Sequence, residues 1–78
     1  MKLSILSPEN ILFEGEVSLV QLPGIDGLFE VLNNHAPMVT TLAKGNIRIV
    51  ETGGKETMLP IQSGVFEVSN NLATVLAM

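Results

Sequence analysis

The chain contains no cysteine, no tryptophan and no tyrosine, and its only histidine is His35. Without cysteine it can form neither disulfides nor thiolate metal sites. Without Trp or Tyr it lacks the stacking platforms that nucleobase binders use. Cations are equally scarce: Lys2, Lys44, Arg48 and Lys55 stand against eight carboxylates, for a formal charge of −4. Four scattered cations cannot neutralise a run of phosphates, so nucleic acid is excluded as a partner. The basic patch that holds an anionic membrane surface is missing for the same reason. No apolar stretch nears the roughly 18 residues of a spanning helix. The apolar run after Lys2 breaks at Pro8-Glu9-Asn10, too early for a signal-peptide core. The default expectation is a soluble intracellular protein with no direct membrane insertion.

What the chain has in quantity is aliphatic side chain. At 78 residues there is room for one core only, hence a single domain over 1–78. Hydrophobic residues make up 46% of it, so Val, Ile, Leu and Met must supply that core. A body this small buries only about 60% of its unfolded surface, so part of the apolar share is expected outside, where patches mark contacts.

The apolar residues come in short runs separated by turn residues. "KLSILS" (2–7) ends at Pro8-Glu9-Asn10; "ILFEG" (11–15) is followed by "EVSLVQL" (16–22), which stops at Pro23-Gly24. "LFEVL" (28–32) precedes Asn33-Asn34, and "MVTTL" (38–42) precedes Lys44-Gly45. "NIRIVE" (46–51) alternates with the period of a half-buried strand. Gly53-Gly54 suits a two-residue type I′ hairpin into "KETMLPIQ" (55–62), and Asn70-Asn71 a second tight hairpin between "VFEVS" and "LATVLA". Pro60 marks its strand as an edge or a bulge. The pattern predicts an all-β fold, a flattened β-sandwich or barrel of about eight to ten short strands.

Catalytic constellations are not found. His35 has no second His or Cys to share a metal ion with. Ser63, His35 and Asp26 make a triad on paper, but "QSGV" is no nucleophile elbow. Glu14 and Glu16 share one strand face and read as solvated. "GGK" (53–55) lacks the flanking residues of a phosphate-binding loop. No catalytic residue, metal or cofactor is expected. The remaining feature is the connection 23–37, where Gly24 and Gly27 bracket Ile25-Asp26 and where Pro37 stiffens an Asn-Asn-His-Ala-Pro corner. Either His35 caps nearby main-chain groups, or two adjacent loops recognise something. From the residues alone the functional expectation is a binding module.

The run "GLFEVLNNHAPMVTTLAKGNIRIV" (27–50) resembles the signature of the ε subunit of F-type ATP synthases, in which His-Ala-Pro is followed by Gly-x-Ile-Arg-Ile. The likeness continues into "LSILSPENILFEGEV" and "SGVFEVSNNLATVLA". The resemblance implies a non-catalytic rotor subunit in the central stalk. It would link the γ subunit to the c-ring, couple proton-driven rotation to ATP synthesis, and lie peripherally at the cytoplasmic face of an energy-transducing membrane. By the same resemblance, Ser7, His35, Ala36, Pro37, Met38 and Thr40 match positions facing γ. Asp26, Gly27 and Leu28 match the loop facing the c-ring. Three positions depart from the pattern. Leu28 replaces an acidic or polar residue, Glu30 replaces a Gly, and Asn33 replaces a Pro, which is expected to loosen the corner. Relatives usually continue into a helical hairpin that restrains ATP hydrolysis. This sequence stops at Met78, so no inhibitory or nucleotide-sensing role is carried over. The alternative expectation is a free-standing module that binds a small ligand through loops 23–37.

Overall fold

Eight strands carry the chain in the computed structural model, which describes residues 1–78. They are β1 (Lys2–Leu6), β2 (Ile11–Gly24), β3 (Gly27–Leu32), β4 (Met38–Leu42), β5 (Gly45–Glu51), β6 (Glu56–Ile61), β7 (Gly64–Ser69) and β8 (Leu72–Ala77). The all-β expectation holds, at the lower end of the strand count. The runs 11–15 and 16–22 are not two strands but one, β2, which carries on through Pro23 to Gly24.

Why β2 read as two runs is visible in its pairing. Val17 opposes Glu51 and Leu19 opposes Val50, so Ser18 is an extra residue, a bulge, and its Oγ donates to the Val50 carbonyl at 3.3 Å. The bulge changes the parity of inward-facing positions, from Phe13 and Val17 before it to Val20 and Leu22 after it. It also lets one strand serve both layers. The first half of β2 pairs with β1, which pairs with β8, then β7, then β4. The second half pairs with β3 on one side and β5 on the other, with β6 beyond. Two layers therefore face one another, in a body of 27 × 24 × 19 Å.

Between them lies a core of sixteen buried hydrophobic residues, Phe66 among them. Phe66 from β7 meets Phe29 from β3 edge to face, with ring centroids 5.9 Å apart, so the two aromatics join the layers. No polar side chain is buried. Gly64 sits where β7 crosses closest to β8: a Cβ there would lie 2.7 Å from the Leu76 carbonyl oxygen. Gly64→Ala is therefore expected to cost about 1–3 kcal/mol through forced backbone movement, readable in a denaturant titration.

The turns divide between expectation and correction. Asn70 (φ 52°) and Asn71 (φ 60°) are both left-handed and close the β7–β8 hairpin in two residues, as a type I′ turn requires. The 53–54 turn is not type I′. Only Gly54 has positive φ (98°), and its N–H donates to the Glu51 carbonyl at 2.7 Å while Glu51 N–H donates to Lys55. That is a three-residue loop with a glycine bulge, in which Thr52 takes one of the turn positions. Pro60 lies on β6, which pairs only with β5, so the missing N–H is at an open edge.

Candidate docking surface

The 23–37 connection splits into two features at opposite ends of β3. Gly24 opposes Gly27 across a two-residue tip, Ile25-Asp26, and the Asn33–Pro37 corner follows the far end of the strand. Six extended residues separate them by roughly 17 Å. The loops expected to be adjacent are not, so the small-ligand module loses the paired loops it relied on. The tip is fastened to the end of β4, where Ile25 N–H donates to Thr41 at 3.2 Å and Ala43 N–H to Pro23 at 2.8 Å. Gly27 takes φ +125°, a left-handed conformation that suits glycine. Leu28 beside it is 67% exposed.

At the other end, His35 Nδ1–H donates to the Ala36 carbonyl at 2.7 Å, a bond to its own loop. Asp26 and Ser63 both lie at the tip end of the layers, so the paper triad is spread over opposite ends of the molecule. No three His, Asp or Glu side chains come together as a metal site. Asn33 does not loosen the corner. Its Oδ1 accepts a hydrogen bond from the Met1 amine, and Asn34 is tied to Asn71.

The six residues matched to γ are also divided. Strand β1 runs parallel to β4 with two strands between them. Ser7, just past the end of β1, therefore lies at the tip end, where its N–H and Oγ close a turn on Asn10. His35, Ala36 and Pro37 precede the start of β4, at the other end. On β4 itself the side chains of Met38 and Thr40 face inward: Met38 packs on the core, and Thr40 opposes the buried Phe66. The outward positions are Val39, 67% exposed, and Thr41.

Strand β8 shows what the outer face is for. It turns Ala73, Val75 and Ala77 into the core and Leu72, Thr74 and Leu76 outward, so its two largest side chains lie outside. A strand that is apolar on both faces is one that expects cover on both. Across the strands, Thr41 opposes Val65, Val65 opposes Leu76, Leu76 opposes Leu6, and Leu6 opposes Ile11. This row crosses five strands, about 19 Å. Val65 is 43% exposed, Leu76 56% and Ile11 66%. The next row, Val39, Glu67, Thr74, Ser4 and Glu14, is polar apart from Val39. Sequence reasoning missed the apolar row, although the inverted size alternation of "LATVLA" could have flagged it.

The outer face of the second layer is built differently. Arg48 donates to Glu56 at 2.8 Å and lies 3.6 Å from Glu30, whose Oε2 also accepts from Gln21 Nε2 at 3.3 Å. The hydrogen bond to Glu56, with both carboxylates nearby, holds the guanidinium pKa above its ordinary value. The Arg of the Gly-x-Ile-Arg-Ile run is thus occupied by pairing across its own sheet. Glu30, which replaces a Gly of the family pattern, is one of its partners.

The domain is all-β and two-layered, with an apolar row across the outer face of one layer. Residues 1–78 match the family ATP synthase, Delta/Epsilon chain, beta-sandwich domain, and the chain belongs to that family. It is 41% identical over 75 residues to the ATP synthase epsilon chain of Chlorobium limicola, covering 96% of this chain and 85% of that one. Its fold is shared with a chain of the Euglena gracilis mitochondrial ATP synthase (OSCP/F1/c-ring), at TM-score 0.89 and 22% identity over 96% of this chain and 48% of that one. It is also shared with a chain of the Tetrahymena thermophila mitochondrial ATP synthase central stalk/c-ring, at TM-score 0.81 and 16% identity over 100% of this chain and 63% of that one.

Proposed function

We propose that this chain is a non-catalytic rotor subunit of an F-type ATP synthase. It joins the γ subunit to the c-ring in the central stalk and passes proton-driven rotation to the catalytic subunits. It lies peripherally, through that complex, at the cytoplasmic face of the energy-transducing membrane, and it uses no cofactor. The observation that carries the reading, alongside family membership, is the apolar row Val65–Leu76–Leu6–Ile11 on the outside of a folded layer.

A partner at that row accounts for both groups of γ-matched residues. Ser7 and His35–Pro37 lie at opposite ends of the same layer, and a standard interface buries roughly 800 Å² per partner. A layer within a body of 27 × 24 Å is of that size, so one broad contact spans it from end to end. In this reading Val39, Val65, Leu76 and Ile11 bear the apolar contact, and His35, Ala36 and Pro37 bear its far rim. Met38 and Thr40 shape β4 from behind. Asp26, Gly27 and Leu28, at the exposed hairpin tip, face the polar loops of the c-ring.

Mixing the chain with the γ subunit from the same genome at micromolar concentration tests the proposal. It is expected to yield a stable one-to-one complex on size exclusion. Separate elution of two folded proteins would contradict it.

A further inference from the structure

Two turns far apart in sequence are clasped by their carboxamides. Asn34 N–H donates to Asn71 Oδ1 at 2.6 Å, and Asn71 Nδ2–H donates back to Asn34 Oδ1 at 2.9 Å. The Asn71 carbonyl meanwhile accepts from Lys2 N–H at 3.0 Å, which anchors the β7–β8 turn to β1. Within the corner, His35 bonds only to Ala36, and Pro37 has no N–H to donate. The clasp thus ties the corner to the β7–β8 turn, beside a cleft lined by His35, Ala36, Pro37 and Asn70.

We propose that Asn71 is a positioning residue: through Asn34 it presents His35-Ala36-Pro37 to the γ subunit in one fixed orientation. This rests on the docking role of the corner proposed above. Asn34 is exposed and Asn71 half-buried, and both hydrogen bonds of the clasp are exposed, so water replaces them at little cost to global stability. A corner freed from the clasp must instead be ordered when the partner binds, and that cost falls on affinity.

Glycine is the clean substitution, because Asn34 (φ 65°) and Asn71 (φ 60°) are both left-handed. Affinity for the γ subunit is measured by calorimetry below the melting range, with amide exchange at Asn34 followed by NMR. Asn71→Gly is expected to speed exchange at Asn34, weaken binding about tenfold and barely move the melting curve. Asn34→Gly keeps the main-chain N–H that donates to Asn71 and loses only the bond from Asn71 Nδ2, so it should weaken binding less. The double variant should be no weaker than Asn71→Gly, which already removes both bonds. Asn71→Asp, which keeps the acceptor for Asn34 N–H, should recover part of the affinity. Faster exchange at Asn34 with unchanged affinity overturns the proposal, and so do losses that add. Ala36→Asp separates this result from failure of the docking reading. If that variant binds normally, the corner does not dock, and its docking role and the positioning role of Asn71 fall together. If it weakens binding while Asn71→Gly does not, only the positioning role is lost.

Discussion

Phe66→Ala is expected to leave little folded protein at 37 °C. Phe66 is fully buried at the meeting of the two layers and is the only buried aromatic of the core. Truncating a buried Phe costs about 3–5 kcal/mol, from lost transfer energy and from the cavity left behind. A 78-residue domain has only about 4–12 kcal/mol of total stability, so one substitution removes much or all of it. The edge-to-face partner Phe29 loses its contact at the same time. Phe66→Leu keeps most of the volume and should unfold at clearly higher temperature than Phe66→Ala. Thermal melts by circular dichroism separate the two; equal midpoints would mean that this ring does not hold the layers together.

Leu76→Asp is expected to do the opposite: it should keep the fold and destroy assembly. Leu76 is at the centre of the outer row, on a strand paired on both sides, and its side chain adds little to the core. Exposed substitutions of this kind stay within about 0.5 kcal/mol of the parent. Within an apolar interface, by contrast, an unpaired carboxylate costs several kcal/mol, and each 1.4 kcal/mol is tenfold in affinity. Affinity for the γ subunit should therefore fall at least about a hundredfold. Met58→Asp, on the outer face of the other layer, should bind as the parent does. Met38→Asp would be a poor probe, because Met38 packs on the core and its loss would disturb folding and docking together.

These two residues show which features the sequence expressed locally. The sequence marked "VFEVS" as an apolar run between turns, and the paired asparagines at 70–71 announced their own hairpin. Pro60 left β6 as an edge or a bulged strand, and it is an edge. Other features depend on partners distant in sequence and could not be read this way. The bulge at Ser18 is defined by what β5 presents opposite it, and without it β2 reads as two strands. Gly53-Gly54 has the composition of a type I′ turn, but the ladder of β5 and β6 sets the loop one residue longer. The corner and the tip are neighbours in sequence and yet ends of one strand in space. Asn33 looked like a loosening of the corner, because the groups that hold it and Asn34 come from Met1 and Asn71. The outer row needed the register of five strands before its members could be seen together.

The absence of cysteine makes the central claim directly testable. Single-cysteine variants Leu76→Cys and Met58→Cys would be exposed to a maleimide in the free chain and in the complex with the γ subunit, with labelling followed by the mass of this chain. Both positions are more than half exposed in the free chain and should react readily there. In the complex, position 76 is expected to be shielded while position 58 keeps its reactivity. Equal labelling at both positions, or shielding at 58 alone, would contradict the account of the apolar row as the face that docks.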